Sequence, residues 1–122
     1  MKITTPTDCD NCPEKRLVKD FLIAWHQGHW DQINNTLHTD FSFHLVEKSQ
    51  TLSKDDLQLY LNSQKKLEHL NLEKITSSGN FGACKGHMIQ ASKTTNFAYF
   101  IEFSSVESNI IKSIVQYNVN QM

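Results

Sequence analysis

The sequence lacks the excess of basic charge that nucleic-acid binding requires, with 12 Lys and Arg against 13 Asp and Glu. It also lacks a long apolar run: the longest, at residues 21–25, is far short of the roughly 20 residues that a membrane span needs. The N-terminus has no basic segment followed by an apolar one, as a signal peptide would have. We therefore expect a cytoplasmic protein with no nucleic-acid or membrane partner.

Short motifs of common catalytic sites are missing as well. Spacing shows no Gly-rich phosphate loop, no Ser-His-Asp set, no Cys-His pair with an orienting group and no paired inward carboxylates. A length of 122 residues corresponds to one domain, which is large enough to fold without disulfide bonds or a structural metal. Residues 1–12 are polar and aperiodic, so we predict a polar tail or strap there and a single domain over residues 13–122.

Two of the three cysteines form a CDNC segment at residues 9–12, followed by HQGH at residues 26–29. Thiolates and imidazoles in such pairs are zinc ligands. If the residues between them form one helix, the segments lie roughly 20 Å apart at about 1.5 Å rise per residue, so we predict no metal site. Cys9 and Cys12 alone could be a reduced pair, a strained disulfide or a redox pair at a helix N-terminus.

Hydrophobic periodicity predicts three helices in the first half of the chain. Apolar residues at three- and four-residue spacing follow Pro13 to about residue 27, and Gly28 ends that helix. A second helix is predicted from about residue 30 to 38. A third helix has Ser53 as its N-cap and extends to about residue 67.

Alternating, strand-like sequence dominates the rest of the chain, with turn residues between the segments. This pattern predicts an antiparallel meander. Gly82 and Gly86 fall within one segment and predict a bulge or bend that curves the sheet. The predicted strands are residues 40–45, 70–78, 82–91, 96–104 and 110–120.

This order of elements resembles the nuclear transport factor 2-like (NTF2-like) superfamily, and within it the SnoaL-like group. The resemblance covers about residues 14–120 and rests on the Gly28-His29-Trp30-Asp31 turn, the Asp40-Phe41 strand start and the Ser53 cap. It implies an α+β cone, in which three N-terminal helices pack in a strongly curved antiparallel sheet around a central pocket. The superfamily includes isomerases, cyclases, dehydratases, epoxide hydrolases and non-catalytic binding modules, so the fold does not select a function.

Ketosteroid isomerases of that superfamily use a Tyr on the first helix, an Asp base on the first strand and an Asp on a late strand. In an ungapped alignment these positions fall on Phe21, Leu45 and Tyr99. The resemblance therefore implies that the base is missing, whereas Tyr99 keeps a hydroxyl that could polarise a carbonyl. A slip of one residue would replace Leu45 with His44, an imidazole that could act as a base near neutral pH.

Six histidines are numerous for this length. Those predicted at helix ends meet the carbonyl terminus or solvent. His44 and His87 differ because they lie inside alternating strands, where each faces either the pocket or the outer side of the sheet. The helix-end histidines are His26, His29 and His38.

Alternation puts Tyr99 and Phe100 on opposite faces of one strand. If Tyr99 faces the cone, Phe100 and Glu102 face outward. An outward Phe is costly in a monomer, so we expect a homodimer through the outer sheet face. Residues that would extend this apolar patch are Val115, Tyr117 or Ile114.

We therefore expect a dimer that binds a small apolar molecule without a cofactor, any catalysis being limited to Tyr99, His44 or His87. One alternative is a cofactor-independent isomerase, cyclase or dehydratase, which requires a strand histidine within hydrogen-bond reach of Tyr99. Another is a protein-interaction module whose cone is filled by aromatic side chains. The predicted, mostly apolar pocket lining is Phe21, Trp25, Phe43, His44, Leu45, His87, Phe97, Tyr99 and Ile101.

Overall fold

The computed structural model describes residues 1–6, 12–64, 66–105 and 108–120. Over these ranges the chain forms three α-helices and one seven-stranded sheet. A short 3-10 helix, Val46–Lys48, joins the second and third strands. The elements are β1 (Lys2–Thr4), α1 (Pro13–Gln27), α2 (Trp30–Asn34), β2 (Leu37–Leu45), β3 (Gln50–Ser53), α3 (Lys54–Ser63), β4 (His69–Ser78), β5 (Phe81–Gln90), β6 (Lys93–Phe103) and β7 (Ile111–Asn120).

The sheet order is β1-β4-β5-β6-β7-β2-β3. Strands β4 to β7 form the predicted antiparallel meander. Two pairs are parallel, β1 with β4 and β2 with β7, so the sheet is mixed and not purely antiparallel as expected. Each parallel pair joins strands that are far apart in the chain, where long connections permit an orientation that a tight hairpin forbids.

The first helix agrees with its prediction at both ends. Pro13 occupies the first helical position, and Gly28 adopts a left-handed conformation with φ 72°, donating its backbone N–H to the last turn. The other two helices are shorter than expected. α2 ends at Asn34 because Leu37 already pairs with Ile111 of β7, and α3 ends where Gln64 becomes extended.

The expected polar tail is ordered at its start. Lys2–Thr4 pairs with β4, and the Thr4 hydroxyl lies 3.0 Å from Nε2 of His69. These residues therefore form an edge strand, a role that three residues without periodicity cannot reveal. The alternatives predicted for Cys9 and Cys12, which are a reduced pair, a strained disulfide or a redox pair, fall outside the described residues, which resume at Cys12.

The buried core lies between α1 and the concave face of the sheet. Val18, Leu22 and Trp25 of α1 are almost fully buried. On β6, Tyr99 is fully buried whereas Phe100 is 51% exposed, which confirms the predicted assignment of that strand's faces. Burying a large apolar side chain contributes about 1.5–3 kcal/mol, so this helix face supplies much of the stabilisation.

Two glycines let the chain pack closely on the sheet. A Cβ at Gly82 would lie 2.6 Å from Cγ2 of Val18 on α1, and one at Gly86 would overlap the backbone oxygen of Asn71 on β4. The register shifts on β4 between Leu72 and Lys74, next to the Leu72–Gly86 pair. The predicted bulge is therefore present, although it lies in β4 opposite Gly86 and not in β5 itself.

Candidate functional site

A cavity of about 420 Å³ lies between the C-terminal end of α1, the helix α3 and the inner face of the sheet. The lining mixes apolar and polar side chains, which corrects the expectation of a mostly apolar pocket. The inner face turns polar towards the ends of β5 and β7, where Gln90, Gln116 and Asn118 take inward positions. The lining residues are Trp25, His26, Gln27, Gly28, Leu45, Glu47, Lys48, Tyr60, Leu61, Asn62, Gln64, Lys66, Leu67, Met88, Gln90, Thr95, Tyr99, Gln116 and Asn118.

Three of the predicted pocket residues line this cavity: Trp25, Leu45 and Tyr99. Three others are buried in the core beside it. Phe43 packs edge-on against Trp25 with ring centroids 5.0 Å apart, and Phe97 packs against Tyr99 at 5.2 Å. The third, Ile101, is fully buried farther along the inner face of β6. These side chains support the cavity wall but do not form it.

Phe21 lines a different, smaller cavity of about 270 Å³. That space lies between α1, α2 and the start of β7, and Ile33 and Ile111 are among its apolar walls. Phe21 precedes Trp25 by one helical turn, so it points towards the other end of the cone. Its predicted place in the main pocket is therefore wrong.

The two strand histidines lie on the outer face of the sheet. His44 Nδ1 is 2.8 Å from the Thr51 hydroxyl on β3, and His87 Nδ1 is 2.8 Å from a Glu73 carboxylate oxygen on β4. Their neighbours, such as Met88, take the inward positions. Neither histidine is placed to act on a molecule in the cavity, so the catalytic alternative that required one of them beside Tyr99 is wrong in that form.

A helix histidine occupies the position instead. His26, in the last turn of α1, has its Nε2 atom 2.9 Å from the Tyr99 hydroxyl, and its ring packs edge-on against Tyr99. The sequence predicts His26 only as a helix-end residue that meets the carbonyl terminus or solvent. The overlooked signal is that His26 follows Leu22 by four residues, which puts it on the buried face of the same helix.

Burial keeps this pair uncharged. Removal from water lowers the pKa of His26 from 6.5 to about 4. Burial is also the main reason that the pKa of Tyr99 is raised well above its usual value, and a hydrogen bond from Trp25 opposes that rise. Because an indole N–H can only donate, the assignment that satisfies both contacts has Tyr99 accepting from Trp25 and donating to His26.

Gln116 is the one buried polar residue among the described residues, at 3% exposure, and it lies opposite Tyr99 in the β6–β7 register. Its Nε2 atom donates to Oδ1 of Asn118 at 2.9 Å, and Nδ2 of Asn118 donates to a Glu47 carboxylate oxygen at 3.1 Å. Its Oε1 atom is buried and has no hydrogen-bond partner in the described part of the chain. An unpaired buried acceptor is uncommon in native proteins and requires an explanation.

Charge is confined to the outer part of the cavity. Glu47, Lys48 and Lys66 are exposed lining residues, whereas Tyr99 and Gln116 at the inner wall are buried. Between them, the partly buried Tyr60 has its pKa raised by burial and by the charge of Glu47. A molecule entering the cavity would therefore meet neutral groups at the inner end and charged groups at the opening.

Within the described ranges, no group of three or more His, Cys, Asp or Glu side chains is placed to hold a metal ion. No helix in those ranges is long and apolar enough to cross a membrane.

The fold is NTF2-like by comparison with solved structures. An NTF2-like protein of unknown function from Burkholderia xenovorans is similar with TM-score 0.75 and 14% identity, over 88% of this chain and 84% of that one. A candidate SnoaL-like polyketide cyclase from Shewanella denitrificans gives TM-score 0.73 and 11% identity, over 88% and 92%. A candidate ketosteroid isomerase from Kribbella flavida gives 0.73 and 12%, over 88% and 78%.

No family model and no curated protein matches the sequence. At these identities the likeness establishes the fold of the chain and leaves its ligand and chemistry to the site itself.

Proposed function

We propose that this protein binds a small, uncharged organic molecule in the 420 Å³ cavity. The proposal rests mainly on the neutral pair of Tyr99 and His26 in the cavity wall, whose hydroxyl oxygen and Nε2 atom lie 2.9 Å apart. Ligand pockets of about 300–1,000 Å³ combine apolar walls with a few placed polar groups, and this cavity has both. A one- or two-ring molecule fits that volume.

An uncharged ligand is favoured by what the inner wall offers. With the pKa of His26 lowered to about 4, the imidazole carries no positive charge near neutral pH. An anion placed against it would lose its hydration without gaining a countercharge, which is costly. The lysines of the lining are exposed at the opening, where they act on a molecule's outer end only.

The test is native mass spectrometry of the freshly purified protein, followed by titration with a panel of neutral one- and two-ring compounds. Met88 lies on the cavity wall, and the next residue on β5, Ile89, alternates to the other face. Met88→Trp should fill the cavity and abolish uptake, whereas the matched Ile89→Trp variant should retain it. A wild-type protein that neither carries extra mass nor takes up any panel member would contradict the proposal.

Acid–base catalysis on the bound molecule is the second candidate, favoured by the Tyr99–His26 hydrogen bond within the wall. It would make the protein a cofactor-independent isomerase, cyclase or dehydratase. A general base is most effective when its pKa lies near the working pH. Because burial lowers the pKa of His26 to about 4, this histidine is a weak base in the free protein. We therefore rank ligand binding ahead of catalysis.

The remaining alternative is an interaction module with a filled cone. We do not favour it, because the aromatic side chains leave a cavity of about 420 Å³ unfilled.

We also propose a homodimer through the outer sheet face. Phe100 and Tyr117 pack at right angles there with ring centroids 5.8 Å apart, and they are 51% and 46% exposed. Val119, farther along β7, is exposed too, whereas Ile114 faces inward and is buried. A contiguous aromatic surface of this kind on a sheet suits a second copy of the same face.

A further inference from the structure

The side-chain amide of Gln116 is held in one orientation by a chain of hydrogen bonds that starts at a carboxylate. Glu47, when ionised, can only accept hydrogen bonds. Its partner in Asn118 must therefore be the Nδ2 donor, at 3.1 Å, and this leaves the Asn118 oxygen free to accept. That oxygen accepts from Nε2 of Gln116 at 2.9 Å, so the remaining Gln116 atom is necessarily an acceptor.

This orientation leaves a buried oxygen unsatisfied in the wall of the cavity. Gln116 is 3% exposed, and Oε1 has no hydrogen-bond partner in the described part of the chain. An alternative rotation of the Gln116 amide would set its oxygen against the oxygen of Asn118, two acceptors with no hydrogen between them. The protein therefore tolerates an unpaired acceptor on a residue that lines the cavity, and the usual cost of such an atom points to a partner that is not part of the chain.

The surroundings of that oxygen determine which partner fits. Tyr99, its cross-strand neighbour, already donates to His26 in the assignment above, so the hydrogen of the phenol is engaged. The neighbouring groups are uncharged, and Gln116 itself offers an oxygen. A hydroxyl or an N–H group can donate to this oxygen, whereas a carboxylate or an ether oxygen would meet it acceptor to acceptor.

We propose that the cavity selects molecules that present a hydroxyl or N–H donor to Oε1 of Gln116, and that Glu47 positions this acceptor through Asn118. The selection rests on the proposed small-molecule function and narrows its ligand class to neutral alcohols, phenols, amides or lactams. Glu47 is a positioning residue here, because it acts through Asn118 and not on the ligand's donor.

Three matched probes test the selection: 2-naphthol, 2-methoxynaphthalene and 2-naphthoate. They share one ring system and differ in having a donor, an ether oxygen or a carboxylate at the same carbon. Isothermal titration should show 2-naphthol binding about tenfold more tightly than 2-methoxynaphthalene, the difference expected when one buried acceptor is satisfied or left unpaired. 2-Naphthoate should bind most weakly.

The variant Gln116→Met removes the acceptor and keeps the side-chain length. We expect its affinities for 2-naphthol and 2-methoxynaphthalene to become equal within about twofold. Without ligand, the same variant should unfold at a higher temperature than the wild type, because an unsatisfied buried oxygen is replaced by an apolar group. Circular dichroism verifies that the variant is folded.

A second variant, Glu47→Gln, tests the positioning chain without touching Gln116. A Gln side chain can accept or donate, so Asn118 and then Gln116 can reverse their amides. The preference for 2-naphthol over 2-methoxynaphthalene should fall about threefold or more. The control Asp55→Asn removes an exposed carboxylate charge outside the cavity lining and should leave the preference unaltered.

The outcomes separate the two proposals. If 2-naphthol and 2-methoxynaphthalene bind the wild type equally, or 2-naphthoate binds most tightly, donor selection is wrong and the binding function stands. If Gln116→Met keeps the tenfold preference, the donor is recognised elsewhere and the inference is overturned. If no probe binds and the panel of neutral compounds also fails, the binding function itself is contradicted.

Discussion

The Tyr99 hydroxyl and Nε2 of His26 lie 2.9 Å apart although 73 residues separate them in the sequence. This contact joins the last turn of α1 to the middle of β6 at the cavity wall. Because both groups are held neutral by burial, the contact is a hydrogen bond between uncharged partners and not an ion pair. It therefore contributes to stability and shapes the inner end of the cavity at the same time.

We expect stability to depend on pH through His26. Its pKa is about 4 in the folded chain and 6.5 in the reference state. Between pH 6.5 and about pH 4, the unfolded chain therefore binds a proton that the folded chain does not bind. Stability should thus fall as pH decreases from about 6.5 to 4 and lose about 3 kcal/mol from this group. Urea unfolding at several pH values measures the loss.

The variant His26→Gln keeps an acceptor for Tyr99 but cannot titrate, so its stability should fall less steeply over that pH range. His29→Gln is the matched control, because His29 is exposed at the start of α2. Parallel pH curves for the wild type and His26→Gln would show that His26 is not protected from protonation by the fold.

Removing the phenol hydroxyl should destabilise the chain. Tyr99→Phe keeps the buried ring but leaves Nε2 of His26 and the Trp25 indole without that oxygen, at a cost of about 1–3 kcal/mol. In a double-mutant cycle with His26→Leu, the two losses should be less than additive by about 0.5 kcal/mol or more, since each variant breaks the same hydrogen bond. Strictly additive free energies of unfolding would mean that the two side chains do not interact.

The two sheet glycines should differ in their tolerance of a methyl group. In Gly86→Ala the new Cβ overlaps the backbone oxygen of Asn71, which cannot move without breaking the β4–β5 ladder. In Gly82→Ala it meets a methyl group of the Val18 side chain, which must shift against its buried surroundings but breaks no hydrogen bond. We expect Gly86→Ala to cost more than about 3 kcal/mol and Gly82→Ala about 1–3 kcal/mol, the usual range for overpacking. Equal melting temperatures would contradict this order.

The proposed dimer predicts an effect of Phe100→Glu on assembly. A carboxylate in the centre of the outer aromatic surface cannot be buried against a second copy without a large cost, so the protein should become monomeric in light scattering. Leu59→Glu is the control, because Leu59 on α3 is 75% exposed and lies outside the sheet. A wild-type monomer would contradict the proposed dimer, and an unchanged dimer in Phe100→Glu would place its interface elsewhere.

Alternation was a sufficient guide to the two faces of β6, but it did not decide which face His44 and His87 take on their own strands. On β6 it put Tyr99 and Phe100 on opposite faces, because each pleat reverses the side chain, and the resemblance indicated that Tyr99 takes the inward face. The strands β1 and β3 were missed because three and four residues carry too little alternation. The predicted α2 is too long because Leu37 continues the apolar spacing of the helix, although the backbone of Leu37 already belongs to β2.

The site was harder to predict because it is assembled from distant elements. The resemblance to ketosteroid isomerases indicates Tyr99, but its partner His26 looks like any histidine at a helix end until α1 is docked on β6. The role of Gln116 depends on Asn118 and Glu47, and Glu47 enters from a short 3-10 helix that no sequence pattern indicated. Sequence periodicity locates faces, whereas hydrogen-bond partners require the packed structure.

The most direct test of the binding function uses the methionine methyl groups as reporters. The chain has three methionines, of which Met88 lines the cavity and Met1 is an exposed residue at the N-terminus. We would titrate protein carrying ¹³C-methyl methionine with 2-naphthol and the neutral panel, after assigning Met88 by a Met88→Leu variant. We expect a saturable shift of the Met88 signal with the Met1 signal unmoved. A Met88 signal that stays fixed with every compound would contradict the proposed binding function.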